Sequence, residues 1–161
     1  MTGQGNSGPR TVVVGVGNEF RRDDGAGPEV IARLRALQPG DASLSGVTLA
    51  LSDGEPGRMI DLWEGARLAV VIDAVRDPAM PPGHRYQLAV DALSGVADGV
   101  ASSHSIGFSD TVELARVLGR LPERLLVFAV VGRDFGFGIE LTAEVAAAIA
   151  ELVEQVREIV R

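Results

Sequence analysis

Residues Val12–Gly27 read VVVGVGNEFRRDDGAG, and the fold turns on how this stretch is parsed. Val12, Val13 and Val14 are consecutive β-branched residues, a run that suits a strand covered on both faces in the middle of a sheet. Gly15 and Gly17 let the chain turn sharply and come close to whatever lies at the strand's end. Asn18 follows, then a loop carrying Glu19, Arg21, Arg22, Asp23 and Asp24. Gly27 and Pro28 open a helix, with Pro28 expected at the first helical position, where its missing N–H is no loss. Strand, glycine turn, acidic loop and helix in that order place a site at the carboxyl ends of the strands of an open α/β sheet. A dinucleotide-binding turn fails on spacing, because G-x-G-x-x-G from Gly15 needs glycine at position 20, which is Phe20. It also fails on charge, since Asp23 and Asp24 would repel a pyrophosphate. Taken alone, Asp24 reads first as a cap at the positive end of the helix dipole.

Outside this stretch the composition narrows the choices. The chain has 161 residues, 46% of them hydrophobic, enough for one domain with a proper core. A net charge of −7 and a pI near 4.8 argue against nucleic acid or an anionic membrane as partner. No apolar run approaches the ~20 residues that span a bilayer. Residues 1–10, MTGQGNSGPR, form a polar Gly/Ser tail expected to be disordered, with no apolar segment of a signal peptide. The absence of cysteine rules out disulfides, thiolate metal sites and a cysteine nucleophile, and fits the cytoplasm.

The periodicity predicts alternating strands and helices. Ala26, Val30, Ile31, Leu34 and Leu37 share a helix face, with Glu29 and Arg33 spaced as an i,i+4 ion pair. GVTLAL (46–51) reads as a short strand running into the turn cluster Ser52–Gly57, followed by a short helix through Met59, Ile60, Leu62 and Trp63. LAVVIDAV (68–75) and LLVFAVV (125–131) are further buried strands, and Arg85–Val90 reads as an edge strand. Gly95–Ser105 is small and polar, hence a loop. Ile106–Leu118 reads as a helix with Val112, Leu114, Ala115 and Leu118 on its apolar side. Gly132–Gly138 is a glycine-rich loop, and Thr142 is placed to cap a last helix whose stripe is Val145, Ile149, Leu152, Val156 and Ile159. The expected architecture is a three-layer α/β sandwich, a mostly parallel sheet with helices on both faces.

Three residues carry the candidate chemistry. Asp73 puts a carboxylate in an otherwise apolar strand, which is costly unless it is paired, bound to a metal or at the strand's end. His104, between Ser103 and Ser105, stands just before a helix; taken alone it reads first as a neighbour of the cap rather than a ligand. His84, after Pro81-Pro82-Gly83, reads as surface decoration. No G-x-S-x-G elbow supports a serine triad, and the adjacent Asp23 and Asp24 cannot readily face each other as an acid dyad. Asp24, Asp73 and His104 each fall at, or just beyond, the carboxyl end of a strand or on that rim. Two carboxylates and an imidazole suit a borderline divalent ion such as Ni²⁺ or Zn²⁺.

At this point the sequence resembles the hydrogenase maturation endopeptidases, the nickel-dependent proteases that trim the large subunit of [NiFe] hydrogenases. GVGNEFRRDDGAG resembles their G-x-G-N-x4-D-[DE]-x-x-G signature, Ser52-Asp53-Gly54 their D-G-G-T loop, and VVIDAV their apolar strand ending in aspartate. SSHSIGFSDTVELARVL resembles the S-x-H-x-x-G-L helix entry, and GIELTAEV the G-x-x-L-[ST]-x-x-V segment. The resemblance covers nearly the whole chain after residue 10. It implies a twisted five-stranded sheet between helices, with an antiparallel edge strand. It places the metal-binding, catalytic positions on Asp24, Asp73 and His104, and sets Asn18 and Asp53 near the substrate. It further implies a cytoplasmic monomer acting on a large-subunit precursor that supplies the nickel, with zinc or cadmium able to stand in for it. Glu55-Pro56 depart from the Gly-Thr of the family loop, and Gly132-Arg133-Asp134 from a less charged segment. Two alternatives stay open on the sequence: a metal-dependent hydrolase of the same fold with another substrate, and a non-catalytic chaperone of the nickel-loaded subunit.

Overall fold

Six buried residues in a row, Thr11–Val16, form β1 at the heart of the sheet in the computed structural model, which describes residues 9–91, 97–98 and 108–161. β1 pairs in parallel with β2 (Thr48–Ser52) on one side and with β3 (Leu68–Val75) on the other, in register Val14↔Ala50 and Val14↔Val71. β3 pairs in parallel with β6 (Arg124–Val131) along its whole length. β4 (Arg85–Asp91) runs antiparallel to β6, and the two-residue β5 (Ala97–Asp98) pairs with β4, so the strand order is 2-1-3-6-4-5. The Arg85–Val90 segment is therefore the antiparallel strand that the sequence indicates, and among the described residues β5 covers its outer side only at Ala89 and Val90. The expected tail lies outside the described residues except for Pro9 and Arg10, and the Arg10 carbonyl already accepts the Arg67 N–H at 2.8 Å.

Alternation along the strands builds two cores. Val13, Val70, Ile72, Leu126 and Phe128 face α1 (Ala26–Leu37) and α4 (Ala143–Val160). Val12, Val14, Val71, Leu125 and Val127 face α2 (Pro56–Trp63) and α3 (Ser109–Val117), where Trp63 is fully buried and its Nε1–H donates to the Arg120 carbonyl at 3.1 Å. The three-layer α/β sandwich read from the sequence is the architecture found. Its connections position the site. From β1 the chain passes through α1 to β2 on one side, then through α2 back across β1 to β3 on the other. The two helices lie on opposite faces and leave a crevice beyond the carboxyl ends of β1 and β3, the place where open α/β sheets bind ligands.

Several local expectations shift. The loop after β1 tightens into a 3₁₀ turn, Arg22–Gly25, and α1 starts at Ala26, so Pro28 is the third helical residue rather than the first. It still falls in the first turn, where its missing N–H breaks no helical bond. Glu29 and Arg33 form the expected pair at 3.1 Å. On α3, Ala115 is buried as expected, but Leu114 and Leu118 are 42% and 52% exposed; Thr111 takes a core place instead. A helix face judged from apolar residues alone misses a buried threonine.

α1 can lie flush on the sheet because Gly27 has no side chain: a Cβ there would stand 2.5 Å from the Ile72 carbonyl oxygen and 2.6 Å from the Val16 amide nitrogen. Gly27→Ala is expected to lower unfolding free energy by about 1–3 kcal/mol, the usual cost of overpacking a tight contact, read as a lower urea midpoint at unchanged slope.

Candidate functional site

An open cleft of about 940 Å³ occupies the crevice. Its floor includes Val16 at the end of β1 and Asp73 in β3, and Asp24 and Asn18 project from the loop between β1 and α1. The β2–α2 corner closes one side, and Phe108 and Thr111 at the start of α3 close another. Two of the three expected ligands, Asp24 and Asp73, thus share one cleft. His104 lies outside the described residues.

Asp24 owes its direction to the loop before it. The Asn18 side-chain oxygen accepts the Phe20 N–H at 2.9 Å, and the Asn18 carbonyl accepts the Arg21 N–H at 3.0 Å, closing a turn. The Asn18 N–H then donates to Asp24 Oδ2 at 2.8 Å. Gly17, at φ +137°, is required here, since a Cβ on it would meet the Asp24 carbonyl oxygen at 1.9 Å. The reading of Asp24 as a helix cap fails: Gly25 holds the cap position of α1, with no side-chain bond to the first turn. Asn18 orients the ligand through its backbone.

Asp23, the neighbour, points the other way and is fully buried. Its carboxylate accepts N–H groups from Arg133 (2.8 Å), Asp134 (3.0 Å) and Thr142 (2.8 Å), and the Thr142 hydroxyl donates to it at 2.9 Å. Burial alone would raise its pKa, but the hydrogen bonds from Asp134, Thr142 and Arg133 hold it below the ordinary carboxylate value. Thr142 does hold the cap position of α4, yet its hydroxyl serves Asp23 rather than the helix. Sequence reading missed Asp23 because its partners lie more than a hundred residues away, in no local pattern.

Asp73 sits on β3 one residue beyond Ile72, the last β3 residue paired with β1, level with the end of that strand, and lines the cleft. Burial pushes its pKa up, and the Asp24 charge adds to the rise, against one hydrogen bond from the Ala74 N–H at 2.8 Å; the net result is about 7. The two carboxylates therefore feel each other across the cleft. Glu19, Asp53 and Asp61 add further negative charge, and the one lining guanidinium among the described residues, Arg58, is held by Asp53 at 3.2 Å. A cleft so charged favours a cation.

Asp53 is exposed; its Oδ1 accepts the Glu55 N–H at 3.0 Å and fixes the corner before α2. Glu55 and Pro56, the departures from the family loop, turn out to start that helix: the Glu55 carboxylate caps Gly57 and Arg58 N–H at 2.9 Å each, and Pro56 is the first helical residue. His84 lies away from the cleft, as expected, with its ring edge-on to Tyr86 at 4.9 Å. Among the described residues no group of three histidine, cysteine or acidic side chains gathers to hold a metal; Asp24 and Asp73 offer two oxygen donors, which fit a divalent ion needing further ligands. No helix among the described residues is long and apolar enough to cross a membrane.

The raised pKa has a consequence for stability. Between the ordinary value of 3.8 and about 7 the folded chain keeps a proton on Asp73 that the unfolded chain releases, so stability falls as pH rises through that window. Asp73→Asn removes the effect while keeping the acceptor for Ala74. The variant is expected to gain stability over wild type between pH 5 and pH 7, by up to about 1.4 kcal/mol per pH unit, with the gap constant above pH 8. Paired urea titrations at pH 5, 7 and 8 read it.

A family model described as HycI, hydrogenase maturation protease, matches residues 54–159. The hydrogenase expression/formation protein HupD of Thiocapsa roseopersicina is 31% identical over 155 residues, covering 94% of this chain and 68% of that protein. The hydrogenase 2 maturation protease of Escherichia coli is 26% identical over 151 residues, covering 91% of this chain and 88% of that protein. The fold matches the solved hydrogenase maturating endopeptidase HybD of Escherichia coli at TM-score 0.70 and 23% identity, over 91% of this chain and 89% of that one. It matches the [NiFe] hydrogenase maturation protease HybD of Thermococcus kodakarensis at the same TM-score and identity, over 94% and 99%. With a family match over more than half of its length and a relative 31% identical along nearly all of it, this chain belongs to the hydrogenase maturation protease family and is a peptidase of that kind.

Proposed function

We propose that the chain is the endopeptidase that removes the C-terminal extension of a nickel-loaded [NiFe] hydrogenase large-subunit precursor, engaging the precursor's nickel through Asp24, Asp73 and His104. The observation that carries this reading is the pairing of Asp24 and Asp73 in one acidic cleft at the β1/β3 switch point, close enough for the charge of one to raise the pKa of the other. A desolvated carboxylate, Asp73, with the like charge of Asp24 beside it is relieved when a cation arrives between them. His104 stands four residues before Phe108, a cleft residue, so at most about 14 Å of chain separates its backbone from the cleft wall. Family membership supports the reaction class.

In this reading the nickel is part of the substrate. The chain offers at most two carboxylates and one imidazole and no thiolate, fewer than the four donors of a closed resident site, so positions on the ion stay open. Donors on the precursor complete the shell, so the full arrangement exists only in the complex. The ion then supplies Lewis acidity next to the scissile bond, acting on its carbonyl or on a water. Asn18 holds Asp24 in aim, Asp73 meets the ion from the sheet, and Asp53 keeps the β2–α2 corner in shape. An unloaded precursor brings no ion, which makes loading the condition for cleavage.

Two measurements test this. Purified chain mixed with precursor prepared with and without nickel is expected to shorten only the loaded form, as read by mass spectrometry of the large subunit; equal cleavage of both forms would refute the mechanism, and binding without cleavage would favour the chaperone alternative. Asp24→Asn, Asp73→Asn and His104→Ala are each expected to slow processing by about 10²-fold or more with circular dichroism unchanged, the scale of losing one charged contact to the reacting centre. Asp53→Asn keeps its acceptor for Glu55 and loses only an exposed ion pair, so its rate should stay within a few-fold of wild type.

A further inference from the structure

We infer that Asp23 is a positioning residue for the proposed reaction: by clamping the loop after β1 to the loop after β6 and the start of α4, it fixes the turn that aims Asp24 into the cleft. This rests on the reading of Asp24 as a cleft ligand. The clamp is built from the side chain and the backbone together. The fully buried carboxylate gathers the N–H groups of Arg133, Asp134 and Thr142 and the Thr142 hydroxyl, all between 2.8 and 3.1 Å. Around it the two loops are laced by the Asp23 N–H to the Asp134 carbonyl, the Arg22 N–H to the Gly138 carbonyl and the Gly138 N–H to the Phe20 carbonyl, each at 2.9 Å. Gly132 makes room, since a Cβ there would stand 2.9 Å from Asp23 Cβ.

What ties the clamp to the cleft is the turn itself. Asp23 and Asp24 are successive residues of one 3₁₀ turn, so a rotation that moves one side chain moves the other. Arg22, which opens that turn, is held at φ +45°, a conformation that a non-glycine residue keeps only where its surroundings over-determine it. The clamp supplies that determination on one side. On the other side Asp24 makes its hydrogen bond with the Asn18 N–H, and that bond reports where Asp24 points. Releasing Asp23 lets Arg22 relax and carries Asp24 out of reach of Asn18.

The Asn18 amide resonance therefore reads the inference directly. Asp23→Asn replaces one acceptor by an NH₂ group facing N–H donors. In the whole chain it is expected to retain the far-UV circular dichroism spectrum and to move the Asn18 amide proton upfield, toward its position in Asp24→Asn. It should also lower kcat on nickel-loaded precursor by about 10²-fold, the cost of misplacing a reacting group by an ångström, with KM little changed. A purely structural clamp would lower the melting temperature while leaving the amide shift and kcat at wild-type values, and that result overturns the inference. Should Asp23→Asn not fold, Thr142→Val removes one donor to the clamp and carries the same readouts, with Thr142→Ser expected to restore them. Wild-type processing by Asp24→Asn would strike down the reading of Asp24 instead. The Asn18 shift in Asp23→Asn would then decide the clamp by itself.

Discussion

The contact on which the molecule depends is between two backbones. A side chain on Gly15 would stand 2.4 Å from the Gly27 carbonyl oxygen, and one on Gly27 would meet the backbone of both β1 and β3. Because neither residue carries one, the first turn of α1 lies directly on the ends of two strands. The loop between them, only nine residues from Gly17 to Gly25, is then short enough to double back over the sheet. That proximity brings Asp24, which leaves β1, over Asp73, which belongs to β3.

The two adjacent aspartates show how an environment divides like residues. Asp23 meets a cage of N–H and O–H donors, which favours its charge and draws its pKa down. Asp73, by contrast, is desolvated with a single N–H donor among the described residues and with Asp24 as a like-charged neighbour, so its charge is disfavoured. Asp24 accepts the Asn18 N–H and lines the cleft. A carboxylate that is fully satisfied serves the fold, whereas one that is left short of partners is available to a ligand. This distinction separates structure from chemistry here without reference to any relative.

The wall formed by α2 is the part of the cleft where this chain departs from the family loop. Glu55 and Pro56 give that helix a side-chain cap and a preset first residue, so the corner carrying Asp53 is held by local bonds rather than by a glycine-rich loop. Added charge there is largely internal: Arg58 is engaged by Asp53, and Glu55 is spent on backbone amides. The departure lies in the wall of the cleft, away from the floor that Val16 and Asp73 form.

Sequence by itself determined the layered fold and where its site must lie. Consecutive valines, the apolar runs ending in Asp73 and Val131, and the 3.6-residue stripes of α1 and α4 are local patterns that admit one economical packing, a mostly parallel sheet between helices. The two glycines and the acidic loop marked the carboxyl end of β1, and Asp73 announced itself as a charge out of place in a buried strand. What only the tertiary structure decided is which aspartate of the pair faces the cleft and what the other one does. Asp23 draws its partners from residues 133–142, a hundred residues away, and no spacing in the chain encodes that meeting. The same holds for Thr142, whose hydroxyl a sequence assigns to its own helix, and for Leu114 and Leu118, which share a periodicity with buried residues yet face water. Periodicity says that a residue has an inner or an outer face to choose from; only the neighbours supplied by distant segments settle what is waiting there.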